Sequence, residues 1–192
     1  MLEHTERISR FGTPPDLSAL PNDVRETIEK NQAKLGFIPN VFLAYAQRPE
    51  HFRAFMHYHD VLMRGESGLS RAEREMIVVA VSGENDCLYC VVAHGAALRI
   101  LSKRPLLADQ IATNWRTAQL SDRERVMLEF ATSLNRQGST VDDAQLARLR
   151  DAGFSDNDIW DIAAIAAFFG FSNRMAAAMD LRPNAEFYAL GR

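Results

Sequence analysis

Cysteine is scarce in this sequence, which has only Cys87 and Cys90 among its 192 residues. Two cysteines are too few for the disulfide framework that stabilises small secreted domains. A basic surplus is also missing, because 22 lysines and arginines stand against 25 aspartates and glutamates and leave a net charge of -3. Since phosphate groups are bound mainly by such a surplus, the composition argues against a nucleic-acid partner.

The sequence also lacks a segment typical of a leader peptide or a membrane span. Its N-terminus, MLEHTERISRFG, has no apolar stretch of the kind that a secretory signal needs. The most apolar segment, DIWDIAAIAAFFGF, is interrupted by Asp158 and Asp161 and is too short as a run to cross a bilayer. We therefore expect a soluble cytoplasmic protein with no membrane partner. In a reducing cytosol, a Cys-x-x-Cys pair is more often catalytic or metal-binding than structural.

Length and composition predict one domain of ordinary size. Hydrophobic residues make up 47% of the chain and charged residues 24%, values that support a full core and exclude a disordered chain. Residues 1–21 are polar and carry Pro14, Pro15 and Pro21, which predicts an extended arm that packs on the domain or on a partner subunit. The single domain then spans residues 22–192.

Signals for helix starts and ends recur along that domain, and no strand-like alternation is present. The apolar spacing first predicts three helices: one from Asn22 or Asp23 to Gly36, a short one from Asn40, and one from Pro49 to about Gly65. Four more starts are predicted where a capping residue precedes an acidic residue by three positions: Ser70 with Glu73, Ser121 with Glu124, Thr140 with Asp143, and Ser155 with Asp158. The run IVVAV would also suit a buried strand, but the capping box before it favours a helix. The predicted fold class is all-α.

One helical segment is echoed later in the chain. LSRAEREMIVVAVS (Leu69–Ser82) and LSDRERVMLEFATS (Leu120–Ser133) share Leu, Ser, Glu, Arg, Met, Ala and Ser at equal spacing. The echo indicates either two helices with the same cap and core face or an internal helical duplication. Glu75 has Val126 as its counterpart, so a carboxylate stands where the second copy has a packing residue.

The two cysteines belong to the segment GENDCLYCVVAHGAAL, whose pattern predicts a helix from about Asp86 to about Leu101. Spacings of three and then four residues put Cys87, Cys90 and His94 on one face of this helix. Cys87 lies near the helix start, where unpaired backbone N–H groups and the helix dipole favour a thiolate. His94 can accept or return a proton near neutral pH.

Glu75 is the fourth candidate. If its helix and the cysteine helix are antiparallel neighbours joined by a tight turn, Glu75 and His94 lie roughly 13 Å and roughly 10 Å from that turn. The carboxylate could then orient the imidazole and support its protonated form. Three other interpretations stay open: buried apolar cysteines, a zinc site of Cys87, Cys90 and His94 with Glu75 as fourth ligand, and Glu75 as a solvated helix residue.

Taken together, these residues resemble the carboxymuconolactone decarboxylase / alkyl hydroperoxidase D superfamily. Its pattern Glu-x11-Cys-x2-Cys-x3-His is met here by Glu75, Cys87, Cys90 and His94. Further segments resemble the peroxidase-related branch of that superfamily, in order: LGFIPN (35–40), LSRAERE (69–75), CLYCVVAH (87–94) and FSNRMA (171–176). The likeness covers most of the chain.

The resemblance implies an AhpD-like all-helical domain with a helix hairpin carrying the Cys-x2-Cys-x3-His motif, assembled as a homo-oligomer such as a dimer, trimer or hexamer. It also implies a thiol-dependent peroxidase that needs no bound cofactor or metal. In this scheme Cys90 attacks the hydroperoxide as a thiolate, and Cys87 resolves the resulting sulfenic acid into a disulfide. Glu75 and His94 would relay protons through Cys87. The helix-dipole argument alone would instead make Cys87 the nucleophile.

Tyr89 departs from the resemblance, because relatives often carry a histidine between the cysteines. Tyrosine can donate a hydrogen bond but is not a base at neutral pH, which puts the rate and the substrate in doubt but leaves the dithiol chemistry. Members that decarboxylate a lactone typically lack the cysteine pair, so that activity is the less expected one. The alternatives to a peroxidase are a non-catalytic zinc-binding module and a redox switch. A thiol or lipoyl-type reductant would suit the cysteine pair.

Two further groups of polar residues are noted in the sequence. His51, His57 and His59 fall on one predicted helix, where a solvated or interface face is expected. Asn173 and Arg174 follow the apolar run AAFFGF and serve either as a helix cap or as polar groups buried near the site or between subunits.

Overall fold

The computed structural model describes residues 7–12 and 16–192, and within these ranges the chain forms helices and turns but no strand. The all-α fold class is thereby confirmed. Ten α-helices follow one another in the described ranges: α1 (Asn22–Leu35), α2 (Asn40–Ala46), α3 (Pro49–Arg64), α4 (Arg71–Glu84), α5 (Leu88–Ser102), α6 (Leu107–Asn114), α7 (Asp122–Gln137), α8 (Asp143–Asp151), α9 (Asp156–Met179) and α10 (Glu186–Ala189).

Capping boxes fix the starts of α4, α7 and α9. Ser70, Ser121 and Ser155 each accept a hydrogen bond from the backbone three residues on, and the acidic side chain there accepts one from the capping residue's N–H. These three predicted starts are confirmed.

The predicted start at Thr140 is wrong. The capping residue of α8 is Asp142, which forms a capping box with Gln145, while the Thr140 hydroxyl donates to the carbonyl of Gln137 in a short 3-10 turn. A carboxylate accepts more strongly than a hydroxyl and also suits the positive end of the helix dipole, so Asp142 sets the boundary.

The start of α5 also differs from the sequence prediction. Asp86 has a left-handed backbone conformation with φ of 52°, so the helix begins at Leu88 and Cys87 is its capping residue. The N–H of Cys87 donates to the Ser82 carbonyl at 2.9 Å, which closes the turn between α4 and α5. Aspartate tolerates this conformation better than most residues, and the reversal lets the two helices pack side by side.

Helix α4 lies at the centre of the fold, where it packs against α3, α5, α6, α7 and α9. Every residue from 74 to 82 is buried. The run IVVAV is therefore surrounded on all sides within a helix, because tertiary packing outweighs the weak strand preference of its β-branched residues. Gly83 lets α6 approach closely, since a Cβ there would lie 2.8 Å from the Ala112 carbonyl oxygen.

Arg74 is a buried charged residue of α4 with a structural task. Its guanidinium donates to the carbonyl oxygens of Leu62 and Gly65 at 2.9 and 2.8 Å, groups that the end of α3 leaves unpaired. Its counterpart in the sequence echo, Arg125, donates to the carbonyl of Arg116 at 2.8 Å. The two echoed segments thus share a cap, a core face and an arginine that binds a preceding carbonyl.

The expectation that the apolar segment of α9 is too short to cross a bilayer is wrong. The helix has 24 residues and qualifies as a membrane span by length and composition alone. However, 56% of its most apolar stretch of 18 residues is buried in the fold, where the helix packs against α4 and α7. Its interior includes the buried polar residues Ser172 and Asn173. These features are typical of the core helix of a soluble protein.

The C-terminal segment is tied back onto α5 and α2. Buried Arg99 donates to the carbonyl oxygens of Phe187 and Leu190 at 2.8 and 2.9 Å. Asn184 donates to the Ile38 carbonyl and accepts from the Asn40 N–H, each at 2.8 Å. These bonds hold the last residues of the chain against elements far away in the sequence.

The described part of the predicted arm contacts the end of α9. The Arg10 N–H donates to the Met179 carbonyl at 2.7 Å, and the Arg182 N–H donates to the Ile8 carbonyl at 3.1 Å. Pro14 and Pro15 lie outside the described residues. The division into an arm over 1–21 and one domain over 22–192 stays a prediction.

Gly83→Ala is expected to lower the free energy of unfolding by about 1–3 kcal/mol, because the added methyl group meets the backbone of α6. Gly138→Ala is the matched control, since its nearest neighbour would be the flexible Leu134 side chain at 3.5 Å. Urea unfolding followed by circular dichroism measures both variants. Equal stability of the two would contradict the close approach of α4 and α6.

Candidate active site

The site is built at the turn between α4 and α5, two antiparallel neighbours connected by three residues, Asn85, Asp86 and Cys87. The short connection aligns the two helices from the turn outwards, so residues at similar distances from it face each other. Two of the four candidate residues lie in the first turn of α5 or just before it. The other two lie deeper in the hairpin.

Glu75 and His94 form a direct hydrogen bond between the helices. The distance from Glu75 Oε2 to His94 Nδ1 is 2.7 Å, and only 11% and 18% of the two side chains are exposed. Glu75 and His94 therefore lie at matching distances from the turn, as the helix rise predicts. The interpretation of Glu75 as a solvated residue is wrong. When Nδ1 carries the proton, it donates to the carboxylate and leaves Nε2 free to accept another. The ring of Phe169 packs edge-on against the imidazole, with 4.7 Å between the two ring centroids.

Cys87 and Cys90 are both free thiols, and both are buried. Cys87 occupies the capping position of α5, and Cys90 lies in the first turn of the helix. Their surroundings differ, because Cys90 is the cysteine that lines the cavity described below. The hairpin thus separates the helix-terminal thiol from the thiol with access to a ligand.

The two thiols ionise unequally. The thiol hydrogen bond from Cys90 lowers the pKa of Cys87 to about 7, and the backbone N–H of Cys90, the Asn173 amide and the charge of protonated His94 act in the same direction against burial. The same bond, together with burial and the negative charge of Cys87, raises the pKa of Cys90. Above about pH 7, the pair therefore holds one proton and one negative charge, with the charge favoured at Cys87.

Asn173 lies beneath the cysteines as part of a buried polar network. It is 2% exposed in the middle of α9, and its Nδ2 donates to Ser82 Oγ at 3.0 Å while its Oδ1 accepts from Asn85 at 2.9 Å. Asn85 in turn exchanges hydrogen bonds with Asn135 at 3.0 and 3.1 Å. The helix-cap interpretation of Asn173 is wrong, and the alternative of a polar group buried near the site is confirmed. Its neighbour Arg174 is exposed and donates to the Gly170 carbonyl.

A cavity of about 340 Å³ opens beside Cys90. Its walls come from α1, α2, α3, α4, α5, α9 and the C-terminal segment and are mostly apolar, with Phe42, Phe55, Met56, Met63 and Phe169 among them. Glu75, His94 and Cys90 are among its polar lining residues. Apolar walls with a few convergent polar groups are typical of a site for a small molecule.

His59 and Tyr45 are cavity residues that the sequence pattern did not assign to the site. The expectation of a solvated face fits the exposed His51 and His57, but the His59 ring lies 6.0 Å from that of His94. Tyr45 and Tyr89 both line the cavity, and nothing in the sequence around Tyr45 signals this place.

The part of the chain that the structure describes has no cluster of ligands that would support the zinc interpretation. No group of three or more histidine, cysteine, aspartate and glutamate side chains is placed there to hold a metal ion. Glu75 and His94 Nδ1 are instead engaged with each other.

The model of the carboxymuconolactone decarboxylase family matches residues 49–113 of this chain and again residues 106–181. Together, the two matches cover well over half of the chain. Each contains one copy of the echoed helical segment, in agreement with an internal duplication.

Two solved structures resemble this fold along nearly the whole chain. A crystal structure of an alkylhydroperoxidase AhpD core, an uncharacterized peroxidase-related protein from Ralstonia eutropha JMP134, is 55% identical, with a TM-score of 0.94, over 96% of this chain and 97% of that one. An uncharacterized peroxidase-related protein from Silicibacter sp. TM1040 is 44% identical, with a TM-score of 0.93, over 100% of both chains. These likenesses confirm the AhpD-like helical fold.

A curated relative is more distant. The uncharacterized protein YnjA of Escherichia coli strain K12 is 28% identical over 174 residues, which is 89% of this chain and 93% of that protein.

The reduced protein is expected to gain one thiolate as the pH rises through about 7, because Cys87 then loses its proton and Cys90 retains its own. The thiolate ultraviolet absorbance should rise through that pH in the parent protein and lose this step in Cys87→Ser. A single transition near the pKa of an ordinary thiol, the same in both proteins, would contradict the unequal ionisation of the pair.

Proposed function

The chain belongs to the carboxymuconolactone decarboxylase family, and from this premise we propose that it is a thiol-dependent peroxidase of the alkyl hydroperoxidase D type. The observation that carries the proposal is the position of Cys90, which lines an apolar cavity while its neighbour Cys87 is the more acidic thiol. The Glu75–His94 pair beside them supplies a route for protons. The names of the solved relatives, an alkylhydroperoxidase core and peroxidase-related proteins, support the same class of activity.

The first step uses both thiols. Cys87 in its thiolate form accepts the proton of Cys90, and the Cys90 thiolate attacks the terminal oxygen of a hydroperoxide in the cavity. A sulfur–oxygen bond forms as the oxygen–oxygen bond breaks. The remaining alkoxide takes a proton that the Glu75–His94 pair delivers and leaves as an alcohol. Cys90 is left as a sulfenic acid.

The second step closes the disulfide. Cys87 passes its proton to His94, and its thiolate attacks the sulfur of the Cys90 sulfenic acid. A disulfide bond forms, and hydroxide leaves as water with the proton from His94. The two cysteines have then lost the two electrons that the peroxide gained. Glu75 stabilises the imidazolium while it holds the proton.

An external thiol reductant completes the cycle. One lipoyl-type carrier, one thioredoxin-like protein or two molecules of a small thiol would return two electrons and two protons to the disulfide and be oxidised to a disulfide in turn. The identity of this reductant, the homo-oligomeric state and the cytoplasmic location stay predictions. Tyr89 takes no part as a base in this scheme, because burial raises its pKa and keeps its hydroxyl protonated.

A redox switch would use the same cysteines without turnover. It would be oxidised once per chain and would change its assembly state, whereas an enzyme consumes many equivalents of peroxide when a reductant is supplied. Turnover across a panel of lipoyl, thioredoxin-type and small-thiol reductants separates the two functions.

Treatment of the reduced protein with hydrogen peroxide or cumene hydroperoxide is expected to consume both thiols of each chain. Cys90→Ser should lose nearly all of this reaction, because Cys87 does not line the cavity. Cys87→Ser should react more slowly, because the thiolate that accepts the Cys90 proton is gone, and should stop at a sulfenic acid on Cys90 that dimedone traps. Thiol counting and mass spectrometry measure each product, and unchanged thiol loss in Cys90→Ser would refute the proposed roles.

Glu75→Gln is expected to slow oxidation of Cys90 by about 10- to 100-fold, because the amide no longer supports an imidazolium at His94. Glu73→Gln is the matched control, since it removes a carboxylate from the same helix and keeps a side chain that can complete the capping box. Stopped-flow measurements at several peroxide concentrations separate rate from affinity. Equal rates in the two variants would remove Glu75 from the proton route.

A further inference from the structure

The hydroxyl group of Tyr45 is buried and has no hydrogen-bond partner among the described residues. Buried side-chain oxygens in this state are rare, because folding gives up their bonds to water. The other such atom in the described part of the chain, Glu84 Oε2, lies 3.1 Å from the charged Nε of Arg136 and is ion-paired. Tyr45 is therefore the residue whose unpaired donor calls for an explanation.

The position of Tyr45 connects this donor with the cavity. The residue belongs to α2, is 8% exposed and lines the same cavity as Cys90. Its ring stacks on Phe55, with a centroid distance of 4.3 Å and an interplanar angle of 25°. The stacking fixes the ring, so the hydroxyl is held in place without help from a hydrogen bond.

The protonation state of Tyr45 makes it a donor. Burial, together with the negative charge of a Cys90 thiolate, raises its pKa, so the hydroxyl keeps its proton throughout the physiological range. Tyr89, the second tyrosine of the cavity, differs because its hydroxyl oxygen accepts a hydrogen bond from the Val41 N–H at 3.2 Å. Of the two, Tyr45 is the one whose buried hydroxyl has no hydrogen-bond partner of either kind among the described residues.

We propose that Tyr45 is a substrate-binding residue, whose hydroxyl donates a hydrogen bond to the oxygen of a small organic molecule held in the cavity against Cys90. The inference rests on the proposed function insofar as that molecule is a hydroperoxide or its product alcohol. When the Cys90 sulfur bonds to the terminal oxygen, the other oxygen becomes an alkoxide. A donor aimed at that oxygen binds the alkoxide more strongly than the neutral peroxide and so favours the bond cleavage.

A pair of ligands and a pair of variants test this role. The ligands are 2-phenyl-2-propanol, the alcohol formed from cumene hydroperoxide, and tert-butylbenzene, which has a methyl group in place of the hydroxyl. Tyr45→Phe keeps the stacked ring and removes the donor. Tyr58→Phe is the control, since Tyr58 is 45% exposed. Calorimetric or NMR titration of the reduced proteins measures each dissociation constant.

The alcohol is expected to bind Tyr45→Phe about 3- to 10-fold more weakly than the parent protein, which is the effect of one hydrogen bond. Tert-butylbenzene should bind both proteins equally, and Tyr58→Phe should change neither affinity. The thermal stability of Tyr45→Phe should not fall, because the lost hydroxyl has no partner in the fold. A lower stability would instead indicate a structural role and would overturn the proposal.

Three further results would overturn it: equal alcohol affinity in the parent and Tyr45→Phe, an equal loss for both ligands, or no binding of the alcohol to the parent protein. A parent protein that fails to react with hydroperoxides would end the proposed function separately, while a selective loss of alcohol binding would still assign the donor to Tyr45.

Discussion

The hydrogen bond between Glu75 and His94 follows from the burial of α4. A carboxylate on a helix surrounded by five others must find a partner, because an unpaired buried charge is costly. His94 on α5 is that partner, at a distance of 2.7 Å, because the short connection between α4 and α5 aligns the two helices. The same alignment puts Cys87 at the helix start and Cys90 at the cavity wall. The burial of α4 and the short turn after it thus set the contact on which the proposed proton route depends.

The arguments for Cys87 and for Cys90 as the reactive residue concern different properties. The position of Cys87 at the start of α5 and the hydrogen bond from its neighbour favour its thiolate form, which is a matter of proton affinity. Cys90 has the higher pKa but lines the cavity, which is a matter of access. A proton shared between two adjacent sulfurs lets the acidic thiol activate the accessible one. Neither property by itself would make an efficient nucleophile here.

Local patterns in the sequence predicted much of this site. The spacing of the cysteine segment and the Ser70 capping box depend on neighbours within one turn, and the helix rise sufficed to match Glu75 with His94. Other features depend on contacts between distant segments. The Asn173 bond to Ser82 crosses 91 positions, and the unpaired hydroxyl of Tyr45 is visible only in the packed fold. The left-handed backbone of Asp86 was not predicted from the sequence either, because it depends on how the chain reverses between α4 and α5.

The bonds that tie the C-terminal segment to α5 and α2 have a consequence for how such a protein can diversify. The cysteines, Glu75 and His94 lie within the first of the two family matches, whereas much of the cavity wall comes from α1, α2 and residues after Met179. Arg99 and Asn184 hold that outer wall in place through backbone carbonyl and amide groups. Side chains of the wall can therefore be exchanged without disturbing its attachment. Such a division lets lineages keep one reactive centre and acquire new ligand preferences at the ends of the chain.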